Sequence, residues 1–218
     1  MLRNIFQIRI MQQCSDDIIQ AGTKDKELKK MNVYDFDNTI YKGESGVDLF
    51  LYFLRRDPKL ITALPWAISC ITRYKATKMT LDEALDKYAG VIEGYAAKID
   101  DIEGNVNKFW DKNIKKIKPF YYEQRQDDDI IISACVDVVL EEICKRIGIR
   151  NYVGSAVDLE KRKLLNFCYR ENKVKVFKEK FPDAVIDNFY TDSYNDQPMI
   201  DLAKNAYLVK GDKITKIK

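Results

Sequence analysis

Apolar residues change their spacing twice along this chain, and the changes divide it into three stretches. Met31 to Phe36 is a short, mostly apolar run that predicts a buried strand. From Val47 the period becomes helical: Val47, Leu49, Phe50, Leu51, Phe53 and Leu54 share one apolar face, which stops at Arg55-Arg56-Asp57-Pro58. Leu60 to Lys75 predicts a second helix with Pro65 near its start. Thr80-Leu81-Asp82-Glu83 reads as a capping box, with Leu81, Leu85, Tyr88, Val91 and Ile92 following at helical spacing. Val106, Phe109, Trp110 and Ile114 predict a further helix.

At Gln126 the period shortens again. Ile130-Ile131-Ile132 is a β-branched run ending at Ser133, as expected of a buried parallel strand. The acids Asp127, Asp128 and Asp129 before it are expected to blunt the start of that strand. Val136 to Ile147 reads as an amphipathic helix stopped by Gly148. Tyr152 to Val157 predicts a strand, and Lys173 to Phe181 a helix ending before Pro182. Ala184 to Thr191 predicts a strand, Pro198 to Lys204 a helix and Ala206 to Val209 a last strand. Strands alternating with helices predict an α/β fold with a parallel sheet and right-handed crossovers. The helical stretch interrupts it with no Gly- or Ser-rich linker, so an inserted helical domain is expected over 44–118, with 31–43 and 119–218 forming the core. Residues 1–30, with a Lys-rich run from Gly22 to Lys30, read as a peripheral extension.

Composition narrows the chemistry. Lys and Arg number 37 against 34 Asp and Glu, a net charge of +3 that gives no global argument for nucleic acid. The basic run from Lys161 to Lys180 is interleaved with Glu160, Glu171 and Glu179, which weakens such a reading further. The chain has no histidine, which removes His-based triads, His general bases and His-ligated metals. A metal here would be a hard cation held by oxygens, Mg²⁺ or Ca²⁺. Cys14, Cys70, Cys135, Cys144 and Cys168 show no paired spacing and read as reduced thiols, which suits the cytoplasm. Arg3 and Arg9 interrupt the first apolar positions, and Pro65 breaks Leu60 to Ile71, so neither a signal peptide nor a membrane span is expected.

Asp35 and Asp37 are spaced by one residue at the end of a predicted strand, so both start on one side of it. One Asp in such a place is ordinarily a turn or cap residue. Two carboxylates in an apolar strand are costly to bury unless a cation or a reaction needs them. Ser133 ends a second strand, and Asp192, Asn195 and Asp196 follow a third. In a parallel sheet these ends share one edge, which is where α/β sheets bind ligands. Acids with a hydroxyl and an ammonium suit Mg²⁺ and a phosphoryl group, and a carboxylate can itself be the nucleophile.

Asp35-Phe36-Asp37-Asn38-Thr39 resembles the DxDxT signature of the haloacid dehalogenase superfamily. Ile132-Ser133-Ala134 is similar to that family's second motif and Asn172-Lys173-Val174 to its third. Asp192-Ser193-Tyr194-Asn195-Asp196-Gln197-Pro198-Met199 is similar to its fourth. Order and separation resemble the phosphoserine-phosphatase-like branch, with a helical cap between motifs one and two on a Rossmann-like core. The resemblance implies a Mg²⁺-dependent phosphomonoester hydrolase working through an aspartyl-phosphate. In it, Asp35 would be the nucleophile and Asp37 the acid and then the base. Mg²⁺ would be held by the Asp35 carboxylate, the Asp37 backbone carbonyl and Asp192. Ser133 and Lys173 would hold the phosphate, and Asn195 and Asp196 would orient the metal and the lysine. Lys161, Lys163, Lys175 and Lys178 share the basic stretch, and Lys173 is favoured over Lys175 because it lies 19 residues before Asp192.

The substrate is expected to be a small phosphorylated metabolite. Glu44, nine residues after Asp35, matches an acid that phosphoserine phosphatases use on the substrate amine, and a helix-cap role fits it equally. Tyr88 stands where an arginine would grip the serine carboxylate, a departure that argues against phosphoserine. The apolar Leu60 to Ile71, with Trp66, reads as cap core and also allows transient contact with a membrane surface. A lipid phosphatase or phosphotransferase and a catalytically silent binding module are the alternatives at this stage. Nothing in the sequence speaks to oligomeric state.

Overall fold

The apolar run before Asp35 forms strand β1 (Lys29–Tyr34) in the computed structural model, which describes residues 29–56, 58, 99, 101–161 and 163–218. β1 sits in the middle of a six-stranded sheet of order β3-β2-β1-β6-β7-β8. Its neighbours are β2 (Ile130–Val136) and β6 (Ala184–Thr191), both parallel to it. Outside them lie β3 (Asn151–Ser155), parallel to β2, and β7 (Asn205–Lys210), parallel to β6. The hairpin strand β8 (Lys213–Lys216) closes one edge antiparallel to β7.

Alternation along the central strands feeds two cores. Val33, Ile130 and Ile132 face one apolar cluster, while Tyr34 and Ile131 face the other. The first cluster is covered by α5 (Glu171–Lys180) and α6 (Gln197–Leu202), through Val176, Phe177, Met199 and Ile200. The second is covered by α1 (Ser45–Leu54), α2 (Ile102–Asn113), α3 (Pro119–Gln124) and α4 (Asp137–Arg146). Ile130, Ile131 and Ile132 are fully buried, each burial contributing about 1.5–3 kcal/mol. Register stacks Tyr34 on Tyr190 (4.6 Å) and Tyr190 on Tyr207 (4.8 Å) across three strands, just below the edge that carries Asp35.

Trp110 of α2 ties the second cluster to the segment holding the two acids. It is fully buried, packs edge-on to Phe36 and Tyr41, and its Nε1 donates to the Val139 carbonyl at 2.8 Å. Trp110→Ala is expected to cost about 3–5 kcal/mol, read as a lower urea midpoint at an unchanged slope.

The structure departs from the predicted elements in several places. β1 ends at Tyr34 rather than Phe36, because the Phe36 carbonyl accepts the Ile40 and Tyr41 N–H groups and turns the chain out of the sheet. The strand predicted over Tyr152 to Val157 stops at Ser155. The Ala156 carbonyl accepts from Leu165 N–H, and β4 (Val157–Asp158) pairs with β5 (Lys163–Leu164) in a separate two-stranded ribbon. Gly154 is needed where β3 passes β2, since a Cβ there would lie 2.8 Å from the Cys135 carbonyl oxygen. The helix predicted from Val136 begins at Asp137 because β2 runs through Val136, and Gly148 ends it at φ +73° as expected.

Asp129 does not act as a solvated blunt at the start of β2. It is fully buried, accepting from Gln126 N–H (2.9 Å) and Asn32 Nδ2 (3.2 Å). Burial pushes its carboxyl up to about 6 from the ordinary 3.8, with the Gln126 and Asn32 hydrogen bonds pulling the other way. The folded protein therefore holds this proton more tightly than the unfolded chain. Its contribution is present below about pH 4 and lost as pH rises through about 6. Asp129→Asn is expected to make the fall in stability across that window shallower by on the order of 1–3 kcal/mol in denaturant titrations, leaving the slope that Asp35 and Asp37 contribute.

No helix among the described residues is long and apolar enough to cross a membrane. The predicted helices over Leu60–Lys75 and Thr80–Ile92, Trp66, Tyr88, Cys14, Cys70 and the extension up to residue 28 lie outside the described residues.

Candidate active site

Three adjacent parallel strands bring the nominated residues to one edge. The pairing of Tyr34 with Ile131 and Tyr190 puts the residues after β1 beside the C-terminal halves of β2 and β6. Asp35 is the first residue past β1, and its N–H still bonds the Tyr190 carbonyl at 2.8 Å. Its carboxylate takes Lys173 Nζ at 2.7 Å and the Thr39 hydroxyl at 3.2 Å. Lys173, in the first turn of α5, is 2% exposed and also reaches Asp196 at 2.8 Å. Asp196 in turn accepts from the buried Thr191 hydroxyl at 2.9 Å. Asp35, Lys173 and Asp196 thus form one buried ion-pair cluster, while Lys175 on the same helix is exposed.

The electrostatics of this cluster are strained in one direction. Burial pushes Asp35 up to about 7, Lys173 pulls it back, and Asp196 and Asp192 add to the rise. Burial would lower the Lys173 ammonium, but Asp196 and then Asp35 outweigh it and hold it raised. The lysine therefore stays charged between two carboxylates that a single ammonium cannot fully compensate.

Asp37 sits on a tight turn rather than on the strand. Its Oδ1 accepts the Ser45 N–H at the start of α1, at 2.6 Å. Burial pushes Asp37 up to about 7, opposed by the Ser45 bond and assisted by Glu44. Asn38 takes the left-handed region at φ +58°, which its N–H bond to the Gly43 carbonyl (2.9 Å) stabilises. Glu44 accepts from Asn38 Nδ2 at 2.7 Å, so it is held on the same turn as Asp37. Lys118 pins this turn from beneath: its Nζ donates to the Asn38 carbonyl (2.5 Å) and to the Gly211 carbonyl (2.9 Å), and burial lowers its pKa.

Ser133 lies on β2, next to β1, and is 1% exposed, with its Oγ accepting the Cys135 N–H at 3.0 Å. Asp192 follows β6 directly; burial raises its carboxyl, Lys210 opposes, and Glu44 and Asp196 reinforce the rise. Asn195 is exposed and, unlike Asp196, does not join Lys173; its Oδ1 takes the Arg170 guanidinium at 3.4 Å. Thr191, Lys118 and Arg170 escape the sequence reading. Thr191 is masked as one more strand residue, Lys118 has no periodic context, and nothing in the composition around Arg170 marks it.

Burial raises Asp35, Asp37 and Asp192 together; Lys173 relieves Asp35 more than Asp196 and Asp192 load it, whereas at Asp37 and Asp192 the neighbouring carboxylates add more than Lys173 relieves. A hard divalent cation suits this donor set, because it would offset the excess negative charge with oxygen ligands alone. Among the described residues no three acidic or thiol side chains gather closely enough to hold a metal by themselves. Such a cation would therefore take fewer than three of its ligands from these side chains and the rest from other oxygens or water, as Mg²⁺ accepts.

A protein of unknown function from Bordetella pertussis Tohama I matches at a TM-score of 0.64 and 17% identity, over 82% of this chain and 88% of its own. A phosphoserine phosphohydrolase-like protein from Francisella tularensis subsp. tularensis SCHU S4 matches at 0.55 and 16%, over 82% and 86%. A HAD family hydrolase from Salmonella enterica subsp. enterica serovar Typhi matches at 0.54 and 15%, over 80% of this chain but 60% of its own. At these identities the likeness is one of fold. No curated protein sequence matches the chain. The family model of haloacid dehalogenase-like hydrolases spans residues 33–201, from within β1 through the last acid cluster into α6, and by that match the chain belongs to the haloacid dehalogenase-like hydrolase family.

Proposed function

We propose that this chain is a Mg²⁺-dependent phosphatase that hydrolyses a small phosphate monoester through an aspartyl-phosphate. The observation that carries the reading is the Lys173 ammonium held 2.7 Å from Asp35 at the C-terminal edge of a parallel sheet. A carboxylate placed there can attack, and an ammonium beside it can hold the oxygens of the group attacked.

Asp35 attacks phosphorus in line, forming an acyl phosphate as the bond to the leaving oxygen breaks. Asp37, on the turn two residues on, gives its proton to that oxygen. It then takes a proton from the water that attacks the same phosphorus, which releases inorganic phosphate and restores Asp35. Ser133 and Lys173 hold the non-bridging oxygens, while Asp196 and Thr191 fix the lysine. Asp35, the Asp37 backbone carbonyl and Asp192 would hold Mg²⁺, which when bound would supply positive charge against the repulsion between carboxylate and phosphate. Asn195 and Glu44 stand on the turns that carry Asp192 and Asp37. We assign the cap role to the inserted stretch 44–118, whose first described helix, α1, begins with the Ser45 N–H bonded to Asp37. A screen of phosphorylated metabolites with Mg²⁺, repeated with a chelator, tests the reading. Chelator-sensitive phosphate release from at least one ester is the expected result, and no release from any would overturn it.

A further inference from the structure

Arg170 holds a backbone conformation that residues with a Cβ rarely adopt, φ +44° with ψ −121°. Glycine takes this region at little cost, whereas arginine is strained in it. The position is next to the site: Arg170 precedes α5 directly, and its carbonyl accepts the Lys173 N–H at 3.0 Å. Its guanidinium lies over the Tyr169 ring, 5.1 Å from the centroid, and Nη2 donates to Asn195 Oδ1 at 3.4 Å. Asn195 belongs to the turn that runs from Asp192 to Asp196, so Arg170 leans from one wall of the edge onto the other.

Its charge is not spent in the fold. Among the described residues its partners are an amide oxygen and an aromatic face, neither of them a carboxylate. By contrast Lys173 is buried between two carboxylates, and Arg146 pairs with Asp111 and Glu142. A guanidinium offers five donors in a planar fork, and a single 3.4 Å bond leaves most of them open. That fork matches a carboxylate or a phosphate in two parallel hydrogen bonds. A glycine would carry the same backbone without strain, so what the arginine adds at this position is its side chain.

We propose that Arg170 is a specificity-determining residue that binds a second anionic group on the substrate, so that the preferred esters carry a carboxylate or a second phosphate beside the one removed. This rests on the phosphatase reading for the identity of the first phosphate. Stacking on Tyr169 and the bond to Asn195 hold the fork against the turn that carries Asp192 and Asp196.

Binding separates this inference from turnover. In the full-length Asp35→Asn protein with Mg²⁺, calorimetry would compare glycerol 3-phosphate with 3-phosphoglycerate, and fructose 6-phosphate with fructose 1,6-bisphosphate. Adding Arg170→Gln is expected to weaken the second member of a responding pair by about 10- to 100-fold and to leave the first within about twofold. A response in the first pair assigns a carboxylate, and one in the second pair a phosphate. Arg170→Gly should show the same loss together with a higher melting temperature, because the strain is relieved, and Arg170→Lys should recover part of the binding. Equal losses on all four compounds, no loss on any, or no binding of any by the protein that retains Arg170 would each overturn the proposal. Phosphate release by the wild type is read separately. Selective, Arg170-dependent binding without release would keep this inference and sink the hydrolase reading; release from all four without dependence on Arg170 would do the reverse.

Discussion

Replacing Asp35 with Asn is expected to cut phosphate release by about a thousandfold or more while the protein still folds. The amide has the shape of the carboxylate but is a poor nucleophile, so the acyl phosphate cannot form. Folding should survive because the charge at this position is held against burial, which pushes the carboxyl up to about 7. Lys173 also keeps a second partner in Asp196, 2.8 Å away. Circular dichroism and melting temperature close to those of the wild type would show that the loss is chemical. Trapping with BeF₃⁻ and Mg²⁺ should give a stable adduct on the wild type and none on Asp35→Asn. Retained turnover in the variant would remove Asp35 as the nucleophile.

The Lys173→Ala variant should lose both activity and stability, and Lys175→Ala neither. The two lysines are two residues apart on α5, so they point to nearly opposite sides of the helix. Lys173 is 2% exposed and bridges Asp35 and Asp196, whereas Lys175 faces solvent. Removing the Lys173 ammonium leaves buried carboxylates without a counter-charge, which costs about 3–5 kcal/mol. In a chain of this size that lowers the melting temperature by roughly 10 °C. The exposed Lys175 should stay within about 0.5 kcal/mol of wild type. Equal mild losses in the two variants would refute the assignment of the phosphate-holding lysine.

Much of the scaffold was readable because it rests on local periodicity. The runs Met31 to Phe36, Ile130 to Ile132 and Ala184 to Thr191 mark β1, β2 and β6, the three strands that carry the candidate site, although the first run continues two residues past the end of β1. The polar ends of those runs could be expected to converge, since parallel strands present their C-terminal ends along one edge. Other elements gave no such signal. β8 reads Lys-Ile-Thr-Lys and is exposed throughout, so it has no apolar face to announce it. The ribbon of Val157–Asp158 and Lys163–Leu164 depends on hydrogen bonds between residues too short a distance apart to show a period. Asp129 stands last in a row of three acids that look alike in the sequence, yet it is fully buried where its neighbours are not.

The sequence by itself determined the α/β architecture, the two acids of the DxDxT run, the family and the absence of histidine chemistry. These follow from apolar spacing and from residue types, both of which are local. Only the tertiary structure decided that Lys173 and not Lys175 meets Asp35, that Asp196 shares that lysine while Asn195 turns to Arg170, and that Lys118 clamps the turn carrying Asp37. Each of these is a contact across the sheet edge between residues separated by 23 to 138 positions. Their energy depends on burial and on competing charges in three dimensions, neither of which is written in the order of residues along the chain.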